Sequence, residues 1–255
     1  MRMDPLRPPH EGRTLAEEVP VALVYHGSTQ AVMMATPQDL EDFAVGFSLT
    51  EGVVDSAGDI EDLEAVDHGE GIELRMWLAG DRAAQLSERR RLAAGPVGCG
   101  LCGIESISSA VRPPPGIGTA TLRIPRPLLA GLADALRDSQ PLHDATGAVH
   151  AAGLWRPDEG VMMVREDVGR HNALDKLAGA MARAEWQGAG SAIVLTSRVS
   201  VEMVQKACAI GAEAILSVSA PTERAARMAE AAGLTLVCNL KSGPRCLAHP
   251  QRIDG

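Results

Sequence analysis

Two thiols, Cys99 and Cys102, stand in the stretch Gly98-Cys99-Gly100-Leu101-Cys102-Gly103. Glycines can adopt backbone conformations closed to other residues, so this spacing predicts a mobile loop that presents both sulfurs. A basic run, Arg89 to Arg91, lies upstream, and Pro113-Pro114-Pro115-Gly116 lies downstream. Three chemistries fit such a pair. Structural zinc needs about four ligands, and no second Cys-x-x-Cys follows; Cys238 and Cys246 are spaced unlike any zinc knuckle. A thioredoxin-like dithiol normally starts a helix directly after a strand, and Pro96 to Gly98 do not read as a strand. The third chemistry is a sulfur carrier, one cysteine holding a persulfide on a loop that swings between donor and acceptor. Two bystander cysteines in a flexible loop would look the same. The motif alone does not choose among these.

The second set of reactive residues lies in the C-terminal half. Arg165 to Asn172 follows the apolar run 161–164, Thr196-Ser197-Arg198 follows 192–195, Ser219 to Thr222 follows 214–218, and Asn239 to Gly243 follows 234–237. Between these runs, apolar residues recur at helical spacing, at Ala173, Leu174, Leu177 and Met181, at Val201, Val204 and Cys208 (with Ser200 as candidate N-cap), and at Ala225, Met228, Ala229 and Ala232. Strands alternating with helices predict a layered α/β unit with a largely parallel sheet. All four polar clusters then fall past the carboxyl ends of strands, the edge where open α/β sheets bind ligands. Arg165, Arg170, Arg198 and Lys241 on that edge suit a phosphate-bearing ligand. His171 reads either as a general acid or base or as a residue packing at a helix start. Glu166 and Asp167 read as ligand-hydroxyl acceptors or as ion-pair partners of Arg165 and Arg170. His150, before Ala151 and Ala152, carries no clear assignment.

The whole chain limits what these sites can serve. It has 255 residues, enough for a substantial core. Aromatics make up only 2%, so the core must be built from Ala, Val, Leu, Ile and Met. A net charge of −9 argues against a nucleic-acid binder or a basic membrane-surface protein. No apolar run approaches the roughly 20 residues of a spanning helix, and Met1 to Pro5 show no apolar signal core. A cytoplasmic protein is expected. Five cysteines, an odd number, argue against a disulfide framework. Cys208 falls in a helical pattern as a small buried hydrophobe.

In the first half, 19–25 and 30–35 read as a hairpin, 63–66 and 72–78 as a second hairpin around Asp67-His68-Gly69. Thr36-Pro37-Gln38-Asp39 reads as a helix start with Thr36 as N-cap; Leu40, Phe43, Ala44 and Phe47 form its apolar face and Gly52 its stop. Glu51, unfavourable at a helix C-terminus, reads as a solvated surface acid. The expected organisation is a loose arm over 1–18, an N-terminal α+β part over 19–112 ending in the thiol loop, and an α/β domain over 113–255.

Several of these segments together resemble one family. Arg165-Glu166-Asp167-Val168-Gly169-Arg170-His171-Asn172-Ala173-Leu174-Asp175-Lys176 is similar to the signature of the formate dehydrogenase accessory sulfurtransferases, the FdhD/NarQ family. So are residues 36–47, the Cys99/Cys102 loop, Thr146-Gly147 with His150-Ala151-Ala152, residues 197–207, residues 219–222 and His249 to Arg252. The resemblance runs from about residue 20 to the end. It implies a C-terminal half similar to cytidine deaminases, without their zinc, joined to a smaller N-terminal part, in a homodimer. It implies a sulfurtransferase that accepts persulfide sulfur from a cysteine desulfurase and delivers it to the bis(molybdopterin guanine dinucleotide) molybdenum cofactor before insertion into formate dehydrogenase. No metal of the protein's own is implied. By position, Cys99 corresponds to the persulfide cysteine and Cys102 to its partner. The cofactor-binding segment falls on Asn239, Leu240, Lys241, Ser242, Gly243 and Pro244, with Arg170, His171 and Arg198 completing the expected set. That segment lacks the family's usual Gly-Phe before its basic residue, reading Cys238-Asn239-Leu240-Lys241 instead. The alternative function is a non-catalytic chaperone that binds and delivers the cofactor.

Overall fold

The structure is a computed structural model that describes residues 12–82, 84, 86 and 112–255. Cys99, Cys102 and Arg89 to Arg91 lie outside the described residues.

Both expected hairpins form. β1 (Val19–Tyr25) and β2 (Ser28–Ala35) are joined through His26 and Gly27, both at positive φ (50° and 75°), which matches the twist of a two-residue hairpin. β3 (Ile60–Asp67) and β4 (Ile72–Leu78) form the second. The four strands make one sheet in the order β2-β1-β4-β3, with β1 and β4 parallel at its centre. Alternation along β1 and β4 sends Val21, Leu23, Tyr25, Leu74, Met76 and Leu78 to one face, against Phe43, Ala44 and Phe47 of helix α1 (Leu40–Thr50).

Thr36 is not the N-cap of α1. The helix starts after Asp39, which is in the left-handed region at φ 52°. The Thr36 hydroxyl instead accepts from the Val168 amide at 3.2 Å, and its own amide donates to Asp167 at 3.0 Å. A hydroxyl that could serve the nearest helix serves a strand end 132 residues away, because the two parts of the chain pack together there.

After the short strand β5 (Ile124–Pro125) come helices α2 (Leu132–Arg137) and α3 (Pro141–Thr146). Strands β6 (His150–Arg156) and β7 (Gly160–Asp167) follow, then α4 (Arg170–Arg183), β8 (Ala192–Leu195), α5 (Val201–Ala209), β9 (Ala214–Ser217), α6 (Glu223–Ala232), β10 (Thr235–Cys238) and β11 (Arg245–Ala248). The final strand β12 (Ile253–Asp254) pairs with β5. The fold is α/β, as expected, but the large sheet is mixed. Its order is β11-β10-β9-β8-β6-β7, and only β8, β9 and β10 pair in parallel. β6 lies antiparallel between β7 and β8 because a short turn joins it to β7, which allows only a hairpin. Being antiparallel to both, β6 leaves β7 running in the same direction as β8, β9 and β10. Their four carboxyl ends therefore share one edge, and the start of β6 joins them there.

Helices α4, α5 and α6 cover one face of this sheet and α2 covers the other, each over a mainly aliphatic core, with Trp155 on the α2 side. α1 crosses α4 backbone to backbone: a Cβ on Gly46 would lie 1.7 Å from the Asp175 carbonyl oxygen, and one on Gly179 would lie 1.9 Å from that of Asp42. Buried polar groups join the two parts as well. Lys176, fully buried, pairs with Asp167 at 2.7 Å and donates to the Thr36 carbonyl at 2.9 Å. Lys206 reaches Asp175 at 2.9 Å, Thr50 at 3.0 Å and Glu51 at 2.6 Å. Glu51 is an exposed surface acid, as expected, and its carboxylate also pairs with this buried lysine.

Candidate functional site

The shared edge opens into a cleft of about 410 Å³. Arg137 of α2, His143 of α3, His150 at the start of β6, Thr196 after β8, Val218 after β9 and Lys241 after β10 line it. Each is positioned by a local feature of the chain. Asn239 takes a left-handed conformation (φ 61°), which asparagine tolerates better than most residues. Its amide donates to the Ser219 carbonyl and the Leu240 amide to that of Ser217, pinning the loop to the exit of β9. Leu240 turns inward, 2% exposed, and Lys241 is left at the rim, 4.0 Å from Asp134. Ser242 closes the turn by donating its amide to the Asn239 carbonyl, and Gly243 follows at φ 109°.

Thr196 accepts from the Ala151 amide at 2.9 Å and sits 3.5 Å from Nδ1 of His150. Burial first, then the positive charge of Arg170, with His143 adding to it, holds His150 below the usual imidazole range. At neutral pH it is an uncharged hydrogen-bonding group among cations. His143 is held by the carboxylate of Glu166, which accepts from the Leu142 amide at 2.8 Å and the His143 amide at 2.9 Å and so caps the start of α3.

Glu166 therefore supports the cleft from behind. Asp167 is saturated by Lys176, the amides of Thr36 and Gly169, and the side chain of Asn172. Neither acid offers a free oxygen to a ligand hydroxyl, and neither pairs with Arg165 or Arg170. Arg165 bonds Asp42 at 2.8 Å instead.

Of the residues expected to bind the cofactor, Lys241 lines the cleft. Arg170 and His171 begin α4 alongside it, close enough for the Arg170 charge to lower the pKa of both His150 and His171. His171 is depressed by burial first and then by Arg170, against the pull of Glu202, whose Oε2 is 3.7 Å from its Nε2. Arg198 is exposed on the loop after β8. Arg137 and His143 escaped the sequence reading because α2 and α3 have too few residues to show a helical period. His150 was visible, but nothing marked 150–156 as a strand starting on the ligand edge.

The three cysteines among the described residues are poor nucleophiles. Burial pushes the Cys208 and Cys238 thiols up to about 12. Cys246 is also raised by burial, and its thiol donates to the Ala248 carbonyl. The thiolate is the reactive form, so the upward shifts disfavour these three sulfurs as nucleophiles.

The model of the FdhD/NarQ family matches residues 16–254. The sulfur carrier protein FdhD of Agrobacterium fabrum is 50% identical over 225 residues, covering 88% of this chain and 83% of that protein. Its namesake from Cupriavidus necator is 49% identical over 242 residues, covering 94% and 83%. A crystal structure of a formate dehydrogenase accessory protein from Desulfotalea psychrophila superposes with a TM-score of 0.72 at 25% identity, over 95% of this chain and 91% of that one. With the match spanning nearly every described element, the chain belongs to the FdhD/NarQ family.

Proposed function

We propose that this protein is a sulfur carrier that supports formate dehydrogenase: Cys99 takes sulfur as a persulfide from a cysteine desulfurase, and the molybdenum of the bis(molybdopterin guanine dinucleotide) cofactor receives it. The observation that carries this reading is the likeness over most of the chain to relatives named sulfur carrier protein FdhD, about 50% identical, and the state of the three described thiols adds to it. Cys208, Cys238 and Cys246 are held protonated by burial, which leaves sulfur chemistry to Cys99 and Cys102. In the loading step the Cys99 thiolate attacks the terminal sulfur of the donor's persulfide. The donor's S–S bond breaks, the donor leaves as a thiolate, and a new S–S bond forms on Cys99, with no net oxidation or reduction.

The cleft supports the choice of recipient. Arg137 and Lys241 supply positive charge for phosphates, while neutral His150 and the Thr196 hydroxyl supply hydrogen bonds. At about 410 Å³ it is near the low end of ligand pockets, roughly 300–1,000 Å³, and suits one nucleotide end of a large cofactor substrate rather than the whole.

Incubating the protein with cysteine and a cysteine desulfurase, followed by mass spectrometry, should place one extra sulfur atom on the peptide holding Cys99. Cys99→Ala should keep the fold and lose the transfer. A Cys99→Ala protein that still activates formate dehydrogenase would overturn the carrier reading in favour of a cofactor chaperone.

A further inference from the structure

A second hollow, of about 750 Å³, runs along α6 on the sheet face opposite α2 and the cleft. One wall is Pro113, Pro114 and Gly116. The other is a stripe of α6 at helical spacing, Arg224, Arg227, Met228 and Ala231. Met228 gives the floor an apolar centre, and the two exposed arginines border it. Arg227 pairs with exposed Glu223 one turn back, whereas Arg224 has no ion-pair partner among the described residues. In a chain of net charge −9, the charged side chains that line this hollow are both arginines.

We infer that this groove docks an acidic segment with an apolar anchor, carried by the protein that donates sulfur. The inference rests on the carrier reading above. Charge complementarity selects an acidic occupant, and the apolar floor takes the anchor. Position selects the donor. The proline wall begins eleven residues after Cys102 in sequence, so a protein seated there is tethered near the thiols at high effective concentration. The groove and the cleft lie on opposite faces, so a bound donor leaves the recipient's cleft open.

The test compares the wild-type protein with Arg224→Glu/Arg227→Glu, each loaded either by a cysteine desulfurase with cysteine or by free cysteine persulfide. Loading of Cys99 is followed by mass spectrometry. The double variant should load from the desulfurase about tenfold more slowly or worse, and from cysteine persulfide at the wild-type rate. Arg224→Lys/Arg227→Lys should restore most of the loss, and added salt should slow the wild type toward the variant. An unchanged rate from the desulfurase overturns the groove assignment while leaving the carrier reading intact. Equal slowing from both donors overturns it as well, since the thiols themselves would then be disturbed. A change in oligomeric state overturns it in favour of an interface between copies of this chain. Failure of the wild type to load from either donor overturns the carrier reading, and the groove assignment with it.

Discussion

Burial and the charge of Arg170 hold His150 and His171 below the usual imidazole range, with His143 and Lys206 adding to the effect and Glu202 opposing it at His171. In the unfolded chain both return to about 6.5 and bind protons more readily than the native state does. Stability is therefore full above that value and falls as pH drops through it toward the depressed native pKa values. The slope is at most about 1.4 kcal/mol per pH unit for each histidine. Melting temperatures measured between pH 7.5 and 5 should show this decline, and His150→Gln/His171→Gln should flatten it; an unaltered slope would show that other groups set it. Asp167 belongs to a different class of residue. It and Lys176 are both fully buried, so Asp167→Asn strands a buried ammonium and should cost about 3–5 kcal/mol in denaturant unfolding. Glu166 and Asp167 do lie at the carboxyl end of a strand, as the sequence suggests, yet their work is structural. Their partners, Leu142, His143, Thr36 and Lys176, come from other elements, and no local pattern reports such pairings, least of all the one with Thr36, 131 residues from Asp167. Arg170 and Lys241 were legible because cations at strand ends stand out in an acidic chain.

At the scale of elements, the crossing of α1 over α4 is the tightest joint in the fold. Gly46 and Gly179 meet the opposing backbone, not a side chain that could swing aside. A methyl group at either position must push the helices apart and loosen Phe43 and Phe47 from the core behind. Gly46→Ala and Gly179→Ala should each lose about 3 kcal/mol or more, at the upper end of overpacking costs. Because either substitution already separates the helices, the double variant should lose clearly less than the sum of the two. Additive losses in urea unfolding would show that the two contacts are independent. Most elements are readable from period and punctuation: both N-terminal hairpins and the three helices with Ala-rich faces. β6 is not, because its run of Ala151, Ala152 and Gly153 lacks the branched and aromatic residues that mark strands. Without β6 the sheet reads as largely parallel, and the shared direction of β7, β8, β9 and β10, with their carboxyl ends on one edge, is as expected.

For the molecule as a whole, the four-stranded and six-stranded sheets are bound into one unit by the buried links that cross between them. Thr36 contacts Asp167, Val168 and Lys176, and Thr50 donates to Asp175 at 2.6 Å while Lys206 bridges both. Unfolding the smaller sheet alone would take the Thr36 carbonyl from Lys176, the Thr36 amide from Asp167 and the Thr50 hydroxyl from Asp175 and Lys206, at a cost of about 1–3 kcal/mol for each buried group left short of a partner and more for charged ones. Partial unfolding is thereby penalised at several points at once, and the transition should be a single cooperative one. The three tryptophans allow this to be measured. Trp77 lies on β4 of the smaller sheet, Trp155 is buried on β6 of the larger one, and Trp186 can be replaced. In two variants that each keep only Trp77 or only Trp155, with phenylalanine at the other positions, fluorescence reports one sheet and far-ultraviolet circular dichroism reports the whole chain. Within each variant the two signals should share one urea midpoint. A Trp77 signal lost before the dichroism would show that the smaller sheet opens on its own, and that the links through Thr36 and Thr50 are too weak to couple the sheets.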